Sequence, residues 1–125
     1  MAEGEADSRS DAVRRSIARL RRDQNYRAEE RMLDERRPAL ILTREARLHL
    51  LTRITVAPIT STVRGLSTEV PVGARNGLDH ESVISCDNLV TVHVSAVGAS
   101  IGLLFDDEEE VLARAISDAF DLAPW

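Results

Sequence analysis

The chain has 125 residues, 43% of them apolar, 30% charged and only 3% aromatic, with a formal net charge of −5. That length fits one domain, whose core has to be assembled from Val, Ile, Leu and Ala. A single cysteine, Cys86, excludes an internal disulfide and a thiolate metal cluster, no apolar run approaches the ~18 residues of a membrane span, and the acidic opening MAEGEADSRSD lacks the basic region of a secretory signal, so a cytoplasmic location with no membrane partner is expected.

In chain order, residues 1–10 are small, polar and acidic and read as a disordered tail. Ser10 or Asp11 can cap a helix in which Val13, Ile17 and Leu20 share a face among arginines, ending near Gln24-Asn25. The highly charged YRAEERMLDER continues it or links it onward, so residues 11–35 are expected to be helix and linker. At Arg37-Pro38 the pattern changes. PALILT (38–43), RITVAP (53–58) and LSTEVPV (66–72) read as three successive strands, with one or two helical turns in REARLHLL between the first two. ESVISCDNLVTVHV (81–94), bent at Asp87-Asn88, and GASIGLLF (98–105) extend the sheet. DDEEEVLARAISDAFDLAPW then places Val111, Leu112, Ala115, Ile116, Ala119 and Phe120 on one helical face, with Asp106 as the expected N-cap and Glu109 completing a capping box. The acids at the start of this helix offset its dipole, which is a sufficient account of them without a metal.

Charge is unevenly distributed. From Arg31 to Arg75 there are eight Arg against four acids, whereas from Asn76 onward there is one Arg against ten acids. The first half is therefore the half suited to an anionic partner. Every basic residue is Arg, a usage that suits phosphate recognition and is equally explained by codon composition.

The segments RRPALILTREA, VAPITSTVRGLSTEVPVG, NGLDHESVISCDNLVTV and IGLLFDDEEEVLARAISDAFDL, in that order and at these spacings, resemble the MazF/PemK family of toxin endoribonucleases. The likeness runs from about Arg36 to Leu122. It implies a mainly β fold with α, an SH3-like (CcdB/MazF-type) small β-barrel with a C-terminal helix, here with an additional N-terminal amphipathic helix. It also implies a homodimer, metal-independent cleavage of single-stranded RNA without a cofactor, and a MazE-type antitoxin as cognate partner. Members usually begin with a strand and a mobile loop. Here residues 11–35 stand in their place, and 36–125 are expected to form the toxin domain.

In that family the Arg of the Arg-Pro pair and the first Thr after the Pro of the VxP-x-T turn carry catalysis, positions that fall on Arg37 and Thr60. The chemistry of the two residue types agrees. Attack of a ribose 2′-OH on the neighbouring phosphate builds a phosphorane with extra negative charge, which preorganised donors can stabilise. A guanidinium forks onto two phosphate oxygens but is a poor proton donor, so Arg37 is assigned to charge stabilisation and Thr60 to donating to a nonbridging oxygen or orienting the 2′-OH. Ser61, Thr62 and Arg64 extend the same turn as candidates for RNA contact, Arg64 foremost for phosphate. Asp87 and Asn88 either hydrogen-bond an unstacked base or hold a bend. His80, His93 and Cys86 read as structural, and Glu69, by alternation, as a solvent-facing strand residue. Two other classes stay open at this point: a CcdB-like toxin that binds gyrase without catalysis, and a degenerate toxin that only dimerises or occupies an antitoxin.

Overall fold

The computed structural model describes residues 14–21 and 37–122. Seven strands are present among them: β1 (Ser16–Leu20), β2 (Pro38–Ile41), β3 (Arg53–Thr60), β4 (Glu69–Val72), β5 (Ser82–Ser85), β6 (Val90–His93) and β7 (Val97–Leu103). A short helix α1 (Glu45–Leu48) lies between β2 and β3, and α2 (Asp106–Ala119) follows β7. All strand pairings are antiparallel, in the order β4-β5-β3-β2-β1-β7, with β6 also on β3. None of the described helices is long and apolar enough to cross a membrane.

Strand β3 organises the sheet. One edge pairs with β2 along Val56 to Pro58. The opposite edge pairs first with β6, from Arg53↔His93 to Val56↔Val90, and then with β5 at Ile59↔Ile84 and Thr60↔Val83. Strands β5 and β6 thus run collinearly along one edge of β3, with residues 86–89 looped out between them. This is the bend expected at Asp87-Asn88.

The expected N-terminal helix is corrected here. Residues 16–20 form β1, a strand between β2 and β7, with register Ile17↔Leu40 on one side and Ile17↔Gly102 on the other. The remainder of the helix and linker expected over 11–35, like the tail at 1–10, lies outside the described residues. The physical reason is two-sided burial. Ile17 sits in one core cluster and Ala18 and Leu20 in another, and register shifts on either side of Ala18 break the alternation. A strand buried on both faces does not alternate cleanly, and its spacing then imitates a helix. The sheet consequently takes in residues upstream of 36.

Both faces of the sheet are packed. Ile17, Leu40, Ala57, Ile59, Val70 and Ile84 join Leu112 and Ala115 of α2 in the larger cluster, while Ala39, Ile41, Ile54, Val56 and Val92 line the other. Full burial of each Leu or Ile stabilises the fold by about 1.5–3 kcal/mol. On α2, Leu112, Ala115, Ile116 and Ala119 pack inward as expected, but Val111 and Phe120 are exposed. The cap also differs: the N-cap position is Phe105, and Glu108 rather than Glu109 accepts from its backbone N–H, at 2.9 Å.

A polar junction joins α2 to the sheet. Asn76 is completely buried; its Oδ1 accepts from Gly73 N–H at 3.0 Å, and its Nδ2 donates to the Leu103 carbonyl at 3.0 Å and to Glu108 Oε1 at 2.8 Å. Gly77 follows at φ 86°, where a Cβ would lie 1.9 Å from the Ile101 carbonyl oxygen, so only glycine fits.

Candidate functional site: a row of side chains across four strands

The β2–β3 register pairs Ala39 with Pro58 and Leu40 with Ala57. Carried two residues further, it sets Arg37 opposite Thr60. The next pairings are Thr60↔Val83 and Pro71↔Val83. Facing residues of antiparallel strands share a face of the sheet, with Cβ atoms of direct neighbours about 4.5–5.5 Å apart. Thr60, Val83 and Pro71 therefore form one row across β3, β5 and β4, and extension of the β2–β3 register adds Arg37, one residue before β2, at its end. Pro58 and Glu69 belong to the same face, two residues along their strands. Arg37 is exposed where the chain enters β2, and Thr60 is half-buried at the end of β3.

Beyond Thr60 the chain leaves the sheet in the loop 61–68. Thr60 Oγ1 accepts from the Thr62 N–H at 3.1 Å, fixing the first turn of that loop. Ser61, Thr62 and Arg64 are all exposed on it, and among the described residues no carboxylate ion-pairs with the Arg64 guanidinium. The far end of the loop is tied down by side chains. Ser67 donates to Asp118 of α2, Thr68 Oγ1 donates to Asp87 Oδ2 at 2.5 Å, and the Cys86 N–H donates to the Thr68 carbonyl at 3.1 Å.

Glu69 departs from its expected role as a solvent-facing strand residue. It is half-buried, and its Oε1 accepts from the backbone N–H groups of Arg64 (3.2 Å), Gly65 (2.9 Å) and Leu66 (3.1 Å), with Oε2 also 3.3 Å from the Arg64 nitrogen. Alternation is read within one strand, whereas these bonds run to a loop that folds back over it. An acid four residues after a turn glycine, at the start of a strand, was the available signal.

Asp87 and Asn88 are placed at the bend, and both are engaged there: Asp87 with Thr68, and Asn88 Nδ2 with Ser85 Oγ at 2.8 Å. His93 pairs with Arg53, seven residues along β3 from Thr60, which at about 3.3 Å per residue puts it roughly 20 Å away. Its Nδ1 instead contacts Ser95 Oγ at 2.8 Å and accepts from the Ser95 N–H at 3.0 Å. His80 is exposed, and its carbonyl accepts from Ser82 Oγ at 3.1 Å. Cys86 is buried in the larger core, where desolvation, with a smaller contribution from the Asp87 charge, pushes its thiol up to about 11. Among the described residues no three His, Cys, Asp or Glu side chains converge as metal donors.

Arg37 ahead of β2, the Thr60 hydroxyl at the end of β3 and the loop beyond it are the polar groups at this end of a sheet otherwise devoted to packing. The chain as a whole has known relatives. Endoribonuclease MazF3 of Mycobacterium tuberculosis is 59% identical over 90 residues, covering 72% of this chain and 87% of that protein. The solved structure of the Mycobacterium tuberculosis toxin MazF-mt6 superposes with a TM-score of 0.73 at 50% identity, covering 89% of this chain and 99% of that one. A mycobacterial endoribonuclease in complex with its cognate antitoxin superposes at 0.69 with 25% identity, covering 90% and 97%. Residues 16–120 match the family described as PemK-like, MazF-like toxin of type II toxin-antitoxin systems, a match that begins at β1 and ends one residue past α2. With the sheet order, the helix and the row through Arg37 and Thr60 all accounted for within that match, the chain belongs to the PemK/MazF family of toxins.

Proposed function

We infer that the chain is a sequence-specific endoribonuclease that cleaves single-stranded RNA, with Arg37 and Thr60 as its catalytic residues and Ser61, Thr62 and Arg64 contacting the substrate. The assignment is supported by the β2–β3 register, which, extended two residues past its last pair Ala39↔Pro58, brings Arg37 toward Thr60. The 2′-oxygen of a ribose bonds to the adjacent phosphorus as its proton passes to water, the P–O5′ bond breaks to leave a 2′,3′-cyclic phosphate, and the departing 5′-oxygen takes a proton from water and leaves as a hydroxyl. Arg37 stabilises the extra charge on the nonbridging oxygens as the phosphorane forms, and Thr60 donates to one of them or orients the attacking hydroxyl. No step depends on a metal. The two packed faces of the curled sheet support reading it as the family's SH3-like barrel. The family also supports a cytoplasmic homodimer neutralised by a MazE-type antitoxin, and the antitoxin-bound relative supports that partner in particular.

Purified protein incubated with a long single-stranded RNA in EDTA, with mapping of new 5′ ends, tests the reading. Cuts at a recurrent short motif are expected, with a loss of about 10²–10³-fold in rate for Arg37→Ala and a clear loss for Thr60→Ala. Full activity in either variant rules out its assigned role, and intact RNA with the unaltered protein rules out the nuclease.

A further inference from the structure

The Glu69 carboxylate occupies a pocket made of three successive backbone N–H groups, those of Arg64, Gly65 and Leu66. Successive amides that converge in a turn make an anion-binding hollow. Here the anion is internal, and Gly65 at φ 75° supplies the left-handed residue that shapes the hollow. Nothing lies within 4 Å of where a Gly65 Cβ would stand, so backbone conformation rather than close packing calls for glycine. Glu69 also shares its sheet face with the row containing Arg37 and Thr60.

The loop has little else to hold it. Among the described residues, no backbone–backbone hydrogen bond outside the regular elements involves residues 61–65, and the Glu69 N–H donating to the Leu66 carbonyl at 3.1 Å is the nearest one. The first turn rests on Thr60, the last two residues on Asp118 and Asp87, and the middle, where Arg64 projects, rests on Glu69. The same carboxylate fills the hollow, so that an RNA phosphate is directed to the guanidinium groups and not drawn onto loop amides beside them.

We propose that Glu69 is a positioning residue for RNA cleavage, its carboxylate clasping the amides of Arg64 to Leu66 so that the loop presents Arg64 to the substrate phosphate. This rests on the nuclease reading above, and it deepens that reading by adding a residue that never touches RNA. Thr60 is held separately by its pairing with Val83. Loss of Glu69 is therefore felt mainly in KM, through the loop, with a smaller effect on kcat.

Amide hydrogen exchange and cleavage kinetics on the full chain test it together. In Glu69→Ala the amides of Arg64, Gly65 and Leu66 should lose protection while those of Ile59 and Ile84 keep it, and KM should rise ten-fold or more. Glu69→Gln, whose carbonyl can replace Oε1, should retain a substantial part of the effect. Arg64→Ala should cost markedly less in the Glu69→Ala background than in the unaltered protein, because an unclasped loop no longer presents that side chain. Formate should partly restore Glu69→Ala by refilling the hollow. Unchanged exchange at the three amides overturns the clasp whatever the RNA result, and lost protection with unchanged KM and additive losses reduces Glu69 to a structural residue. Failure of the nuclease reading is seen separately, as absent cleavage by the unaltered protein or full activity in Arg37→Ala and Thr60→Ala.

Discussion

At the scale of single residues, the largest stabilising demand outside the apolar core falls on Asn76. Its Oδ1 and both Nδ2 hydrogens are engaged, and its removal takes the partner from the buried Gly73 N–H and one hydrogen bond each from the Leu103 carbonyl and the buried Glu108 carboxylate, which keeps the Phe105 N–H. A neutral hydrogen bond contributes about 0.5–1.5 kcal/mol, but a buried group left without its partner costs about 1–3 kcal/mol. Asn76→Ala is accordingly expected to destabilise the protein by roughly 2–4 kcal/mol, read as a lower denaturation midpoint at unchanged slope; a loss below about half a kcal/mol would contradict the role. Neither Asn76 nor Glu69 was legible in the sequence as anything beyond a polar residue near a turn. Arg37 and Thr60 stand out in the sequence because a linked set of motifs points to them. Asn76 and Glu69 act on backbone groups of distant or refolded segments, which no local pattern encodes.

Elements were legible where an apolar run of strand length or a helical stripe stands clear in the sequence, as it does for β2 and β3 although both supply residues to the two core clusters. Strands β2 and β4 fall within the apolar runs that announce them, β3 continues two residues past its run through Pro58 to Thr60, and α2 keeps its inward stripe of Leu112, Ala115, Ile116 and Ala119. Strand β1 imitates a helix because Ile17 and Leu20, three residues apart, are both buried, in the two different core clusters, with the pairing irregular at Ala18 between them. The cap of α2 shifted by one residue for a related reason: where a helix begins depends on where the preceding strand releases the chain. At that end of α2, Arg75 bonds both oxygens of Asp107, at 3.1 and 3.2 Å, and its guanidinium lies 4.4 Å from the centroid of the Phe105 ring. The hydrogen bond from Arg75 holds the Asp107 carboxyl below its ordinary 3.8. A depressed carboxyl stabilises the fold fully above its unfolded value and loses that contribution as pH falls through the folded one. Thermal scans should therefore show stability from this pair that is constant above about pH 4, fades below it, and is absent in Asp107→Asn. Both groups are solvent-exposed, so added salt should weaken the difference.

For the whole molecule, the division of charge matters more than the net value. The Arg-rich stretch through residue 75 contains Arg37 and Arg64, the two arginines of the proposed site, while half of the acids that follow stand at the start of α2. Single-stranded RNA binding weakens with salt by about 0.7 logarithmic units per phosphate neutralised. The slope of log kcat/KM against log salt should thus be negative, and Arg64→Ala should make it shallower by roughly 0.7. An unchanged slope would place Arg64 off the phosphate path. The asymmetry was visible in the bare sequence, whereas the way in which it converges on one edge of the sheet needed the strand order.

The pairing of β1 with β7 has a further consequence, for how the protein is made. Leu20 meets Val97 and Ile17 meets Gly102, partners separated by roughly 80 residues, which at about 5–20 residues per second take several seconds of translation to bridge. Until then β1 has one of its two neighbours, and the small apolar core cannot be completed around Ile17. A toxin endoribonuclease is thereby held immature while most of its own coding region is being read, and the ribosome has passed residue 100 before the fold can close.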